Sequence, residues 1–189
     1  MKKAVAVFLG FLVPALWAHT GVNGSFTFTQ GFWHPLSGAD HMMAMFAVGM
    51  FASLFTQKDI LKVLAAFVGM MGLSALVGTY RVDIPFVEAG IVASIILFGL
   101  MIVFAANIPY RVALGMIGMF ALFHGYAHGY EFSGEGSFAG YLAGFSLATL
   151  SIHLFGLAAG RLLQNFTLGS GRGIKLAGSA IALGGLSLI

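Results

Sequence analysis

Apolar residues run nearly uninterrupted along this chain, parted by short polar or glycine- and proline-containing stretches and not by the alternating faces of a surface helix. The pattern predicts six apolar segments, roughly 32–55, 61–80, 85–104, 110–130, 138–161 and 174–189. Each is close to the length of about 20 residues that a bilayer-crossing helix needs. The sixth is short for a full span and would sit with little tilt or thin the bilayer locally. The connections are brief, so the segments predict an all-α integral membrane protein, a six-transmembrane helix bundle forming one polytopic domain over residues 19–189.

Ahead of these segments, MKKAVAVFLGFLVPALWA places Lys2 and Lys3 before an apolar run and ends on Ala18, which is the grammar of a signal peptide. Cleavage after Ala18 would make residues 1–18 the signal peptide and His19 the mature N-terminus. Leu16 suits the small-residue position of the cleavage site poorly, so an uncleaved anchor is the alternative.

Composition strengthens the membrane reading: 59% of the 189 residues are hydrophobic and only 8% charged, with a mean hydropathy of +0.97. The net charge of +3 comes from a few basic residues between apolar runs, and nothing resembles a nucleic-acid-binding patch. Lys58, Lys62, Arg111, Arg161, Arg172 and Lys175 flank the first, third and fifth connections, whereas the second and fourth carry Arg81 with Asp83, Glu131 and Glu135. Positive residues favour the cytoplasmic side, which places the mature N-terminus on the periplasmic face of a bacterial inner (plasma) membrane. The chain has no cysteine, so histidine, carboxylate and methionine are its available metal ligands.

Against this background two stretches stand out. HPLSGADH, residues 34–41, lies in the first span, and FHGYAHGYE, residues 123–131, in the fourth. On a helix turning about 100° per residue, His34 and His41 share a face with Asp40 beside them, and His124, His128 and Glu131 share another. The topology puts His34, His128 and Glu131 near the outer mouth. His124 lies about 9 Å inward, Asp40 and His41 about 12 Å, and His153 on the fifth span about 22 Å. Glu88, early in the third span, is near the mouth again. Glycines at 140 and 144, and at 156 and 160, have the small-residue spacing of close helix packing, while the methionines, Met45 among them, read as apolar filler.

Interhelical hydrogen bonding could explain one buried histidine. It is a poor account of both motifs together, since each intramembrane ionisable group costs about 2.5–3.5 kcal/mol on insertion scales. A divalent first-row ion fits the set better, with imidazoles as ligands and Asp40 and Glu131 balancing its charge. Gly38, Gly125 and Gly129 would allow close approach of backbone or ion, and Pro35 would cap the helix entrance.

At these residues the chain resembles the HupE/UreJ family of nickel and cobalt permeases. HPLSGADH fits its H-x5-D-H signature, and FHGYAHGYE is similar to its second, of the F-H-G-x-A-x-H-G-x-E type, but reads F-H-G-Y-A-H-G-Y-E, with Ala127 directly before His128. The signal-like start, the His-Thr-Gly stretch after it and the histidine of the fifth span extend the likeness over the whole chain. The resemblance implies a secondary transporter, not an enzyme. It would import nickel, or cobalt, as transported substrate through His34, Asp40, His41, His124, His128 and Glu131, with no permanently bound cofactor and the lipid bilayer as surroundings. His19, Glu88 and His153 extend that pathway on position alone.

No G-x-x-x-x-G-K-[ST] loop is present, so gradients or a partner would supply the energy. The membrane potential gives two inward-moving charges about 4.6 kcal/mol per 100 mV, and proton antiport is the alternative, since ligation needs deprotonated groups. The polar first and fourth spans suggest two inverted three-helix halves. Two rival classes use the same residue types: a membrane-embedded zinc-dependent hydrolase acting on lipid with Ser37 nearby, and a haem protein with axial histidines such as His41 and His124.

Overall fold

The computed structural model describes residues 26–132, 134–166 and 171–189. The predicted signal peptide and His19 therefore lie outside the described residues. Within them the chain forms seven α-helices: α1 (Phe28–Ser37), α2 (Ala39–Ala52), α3 (Gln57–Gly78), α4 (Val87–Val103), α5 (Tyr110–Glu131), α6 (Phe138–Phe166) and α7 (Arg172–Leu186). By length and composition α3, α5 and most of α6 can cross a membrane, while α2 and α4 are shorter apolar helices. The six predicted segments all fall on these helices.

One expectation fails in detail: the first segment is not a continuous helix. Thr27 starts α1 with a capping box, its hydroxyl accepting from the Gln30 amide at 3.3 Å while the Gln30 side chain accepts from the Thr27 amide at 3.1 Å. Ten residues on, the helix stops, and Gly38 adopts an extended conformation (φ −100°, ψ 121°) before α2 begins. Pro35 stands in the last turn of α1, not at its entrance. Its ring removes a backbone donor and crowds the preceding turn. Local side-chain bonds then compete with helix continuation: the Ser37 hydroxyl donates to the His34 carbonyl at 2.6 Å, and Asp40 Oδ1 accepts from the His41 amide at 2.8 Å.

The broken first segment packs along α6, α3 packs along α5, and α4 along α7. Glycine makes each approach close. A Cβ on Gly49 would meet the His153 carbonyl, and one on Gly156 the backbone of Phe46 and Met50. Gly125 and Gly129 abut the carbonyls of Met71 and Ala75, and Gly99 lies on Gly178 and Ala182. The small-residue spacing of α6 thus serves packing, as expected. The glycines of FHGYAHGYE do so too: they seat α5 on α3 and do not open room for an ion.

The two ends of the bundle differ in charge. At one end Arg161 donates to Gln57 at 2.7 Å, Gln164 donates to Ser53 at 2.8 Å, and Lys62 sits 5.9 Å from the Tyr110 ring centre. At the other, Phe26 bridges to the loop before α6, donating to the Glu135 carbonyl at 2.9 Å and accepting from the Ser137 amide at 2.8 Å. The connection 79–86 is tied down there as well: Arg81 Nε donates to the Tyr130 carbonyl at 3.0 Å, the Tyr130 hydroxyl donates to Asp83 at 2.6 Å, and the Tyr126 hydroxyl donates to the Val82 carbonyl. Five of the six carboxylates of the chain, Asp40, Asp83, Glu88, Glu131 and Glu135, belong to this second end. The sixth, Asp59, pairs with Lys62 at 3.1 Å at the first end.

Candidate metal-binding pathway

At the acidic end the two motifs face each other. Because α2 and α5 run antiparallel, ascending residues of the first motif meet descending residues of the second. Ring centres of His34 and His128 are 4.7 Å apart, those of His128 and His41 4.6 Å, and those of His41 and His124 5.1 Å. Imidazoles sharing one ion, with metal–nitrogen bonds of about 2 Å, hold their centres about 5–6 Å apart. The four rings therefore form a chain whose neighbours are close enough to share an ion at each step.

The order differs slightly from the depths read by rise alone, which set His41 below His124. Helical side chains tilt toward their own N-terminus. In an antiparallel pair this moves His41 toward the mouth and His124 away from it, so His41 falls between His128 and His124.

Hydrogen bonds fix which nitrogen of two rings is left for a ligand. The Asp40 carboxylate can only accept, so His41 Nδ1 donates to it at 2.9 Å and His41 Nε2 carries the lone pair. That nitrogen is buried and without a hydrogen-bond partner among the described residues. At His124 the tautomer is set by Ser94, whose one hydroxyl proton goes to the Ile91 carbonyl at 2.6 Å. Its oxygen must therefore accept from His124 Nε2, 2.9 Å away. His124 Nδ1 is left as the lone-pair atom, again buried and unpartnered. Holding one ring nitrogen by a carboxylate or hydroxyl while the other faces the site is how metal-binding histidines are oriented.

Nearer the surface, Glu131 Oε2 lies 3.2 Å from His34 Nε2 and 3.8 Å from His128 Nδ1. One donor atom from each of His34, His128 and Glu131 lies within 4.8 Å of the other two. Ligands of a common ion stand about 3–4 Å apart, so modest side-chain rotation would close this triad. Glu131 is 43% exposed and His34 22%, whereas His128 is buried, so the triad grades from solvent into the interior. A cleft of about 20 Å³ opens here, lined by His34, Asp40, His41, Glu88 and Glu131 among others. That volume holds about one water molecule.

The six residues of the two motifs are thus brought together, and Glu88 joins them at the cleft. His153 stands apart from the four-ring chain, beyond Phe67, whose ring centre is 5.6 Å from that of His124 and 5.0 Å from that of His153. Three neighbours escaped sequence reasoning. Ser94 is a lone hydroxyl in the apolar run GIVASIIL, a signal that could have flagged it. Phe67 looked like any core aromatic. Tyr141 places its ring 6.1 Å from His34 with a buried hydroxyl that has no hydrogen-bond partner among the described residues.

Comparison with known proteins agrees in extent with this geometry. Residues 6–188 match the HupE / UreJ protein family. The chain is also 37% identical over 174 residues to Protein HupE of Rhizobium leguminosarum bv. viciae, covering 91% of this chain and 88% of that protein. No solved structure matches. With matches that run nearly from end to end, the chain belongs to the HupE/UreJ family.

Proposed function

We propose that the chain is a permease that imports nickel, or cobalt, as transported substrate through the histidine chain between its first and fourth spans. The observation that carries this reading is the row of four imidazoles at steps of 4.6–5.1 Å, with lone-pair nitrogens of His41 and His124 free to bind. Consecutive ligand pairs suit an ion that is handed on, whereas a resident metal needs its ligands around one point. Membership of a family whose signatures imply nickel and cobalt transport supports the same reading.

Electrostatics favours this direction of approach. The carboxylates gathered at the His34 end attract a dication, and the basic residues of the opposite end mark the cytoplasmic side. On that orientation the mature N-terminus is periplasmic, residues 1–18 are a cleaved signal peptide, and α1 with α2 counts as the first of six spans in one membrane domain. The pairing of spans one with five, two with four and three with six maps onto itself when the first three are exchanged for the last three. This is the pattern expected of two inverted three-helix halves, with the site at their interface.

The rivals fare worse on geometry. In the zinc-hydrolase reading Ser37 would help to activate a water, yet its hydroxyl proton is committed to the His34 carbonyl. His41 and His124 at 5.1 Å leave no room for a haem between them.

Radiolabelled nickel accumulation in cells lacking other nickel importers tests the proposal, with cobalt as competitor. Uptake above the empty-vector control that is lost in His124→Ala is the expected result. Absence of uptake with the protein present in the membrane would overturn it.

A further inference from the structure

We infer that His153 is a second, inner binding station for the transported cation, separated from the outer histidine chain by the ring of Phe67. This deepens the transport reading and rests on it.

His153 lies on α6, about 22 Å along that helix from Phe138 at 1.5 Å per residue. It is fully buried, and neither ring nitrogen has a hydrogen-bond partner among the described residues. A histidine retained only for packing would have those nitrogens satisfied, because an unpaired buried polar group is costly. His41 and His124 each have one nitrogen held; His153 has both open to a ligand.

Its surroundings add the second observation. On α3, Phe67 and Met71 are one turn apart, and on α6 so are Thr149 and His153. The two faces meet in two rungs: Phe67 lies against His153, and the Thr149 hydroxyl donates to Met71 Sδ at 3.8 Å. All four side chains are fully buried. An imidazole with a thioether and a hydroxyl on the adjoining rung is a donor set of the kind later first-row divalent ions accept. The carbonyl of His153 is pressed onto Gly49 of α2, which holds this turn of α6 against the helix that carries His41.

Phe67 contacts the rings of both His124 and His153. An ion leaving His124 for His153 must displace that ring, so the outer chain and the inner station fill in sequence.

The test uses the purified full-length protein titrated with Co2+, read by equilibrium dialysis and by the visible absorption of the bound ion. Wild type should bind at both places. His153→Leu, which swaps an unpaired polar ring for an apolar side chain, should bind one equivalent fewer, melt no lower than wild type, and lose uptake roughly tenfold or more. His153→Cys should regain the equivalent with a thiolate-to-cobalt band. Wild-type stoichiometry and uptake in His153→Leu would overturn the inference. Should that variant fail to fold, the cysteine variant decides alone: the thiolate band upholds the inner station and its absence overturns it. Co2+ binding that is lost in His41→Ala but intact in His153→Leu defeats only the inner station, whereas a wild type that binds neither Co2+ nor Ni2+ in the same dialysis brings down the transport reading itself.

Discussion

His124, His128 and Glu131 reach the site from one uninterrupted helix, where spacings of four and three residues put them on a single face. The opposite wall reaches the same centre from a helix broken at Gly38, with His34 before the break and Asp40 and His41 after it. On α5 the candidate ligands are placed by helical periodicity, and the helix is fixed by close glycine contacts with α3. On the broken wall they are placed by local chemistry: Pro35, the Ser37 hydroxyl and the Asp40 carboxylate. One wall should therefore be sensitive to packing volume and the other to individual hydrogen bonds.

The largest effect belongs to the ligands that join the walls. His41 is the ring between His128 and His124, so His41→Ala should reduce nickel uptake to the empty-vector level with the protein still in the membrane. Next comes packing. Gly125→Val would drive a branched side chain into the Met71 carbonyl and the Ser74 hydroxyl, and should destabilise the protein by about 2–3 kcal/mol in thermal unfolding. Gly115→Ala, on the same helix with open space around it, should be neutral or stabilising by up to about 1 kcal/mol. If both changes behaved alike, the distinction between packing and spare glycines would fail.

Smaller effects sharpen the contrast. Ser94→Ala removes the acceptor that orients His124 and should raise the nickel concentration for half-maximal uptake about tenfold, while the buried ring N–H it leaves unpaired should cost about 1–3 kcal/mol in unfolding. Gly38→Ala is milder. Its backbone angles suit alanine, but the added Cβ would lie 2.8 Å from Asp40 Oδ1. A fall of about threefold in uptake, with unfolding shifted by less than about 1 kcal/mol, is expected, and rescue by any second substitution on α5 would argue against a purely local cause.

Much of this was legible in the sequence because membrane helices announce themselves by apolar length. Helical spacing accounts for the single face of His124, His128 and Glu131, and depth for the isolated, deeper place of His153, whereas His34 and His41 reach the same centre across a break that helical spacing does not describe. What stayed hidden was one local break and whatever depends on contact between distant segments. The break at Gly38 lay inside a run whose apolar residues continue on both sides, so hydropathy had no reason to stop there. Pro35 was the available hint, and its position in the last turn rather than the first is what turns it from a cap into a breaker. Gly125 and Gly129 alternate with histidines and on sequence grounds admit either backbone or ion; the neighbours they admit are backbone carbonyls of α3. Ser94 and Phe67 acquire meaning only once α3, α4 and α5 are brought together, since nothing in their own segments mentions His124.

The central claim is that the histidine chain carries a divalent ion across the bilayer. Its most direct test is nickel influx into proteoliposomes holding a metal-sensitive dye, driven by an inside-negative potential, for wild type and His41→Ala side by side. Influx that grows with the imposed potential in wild type and is absent from His41→Ala is the expected result. Equal influx in the two, or none in correctly folded wild type, would contradict it.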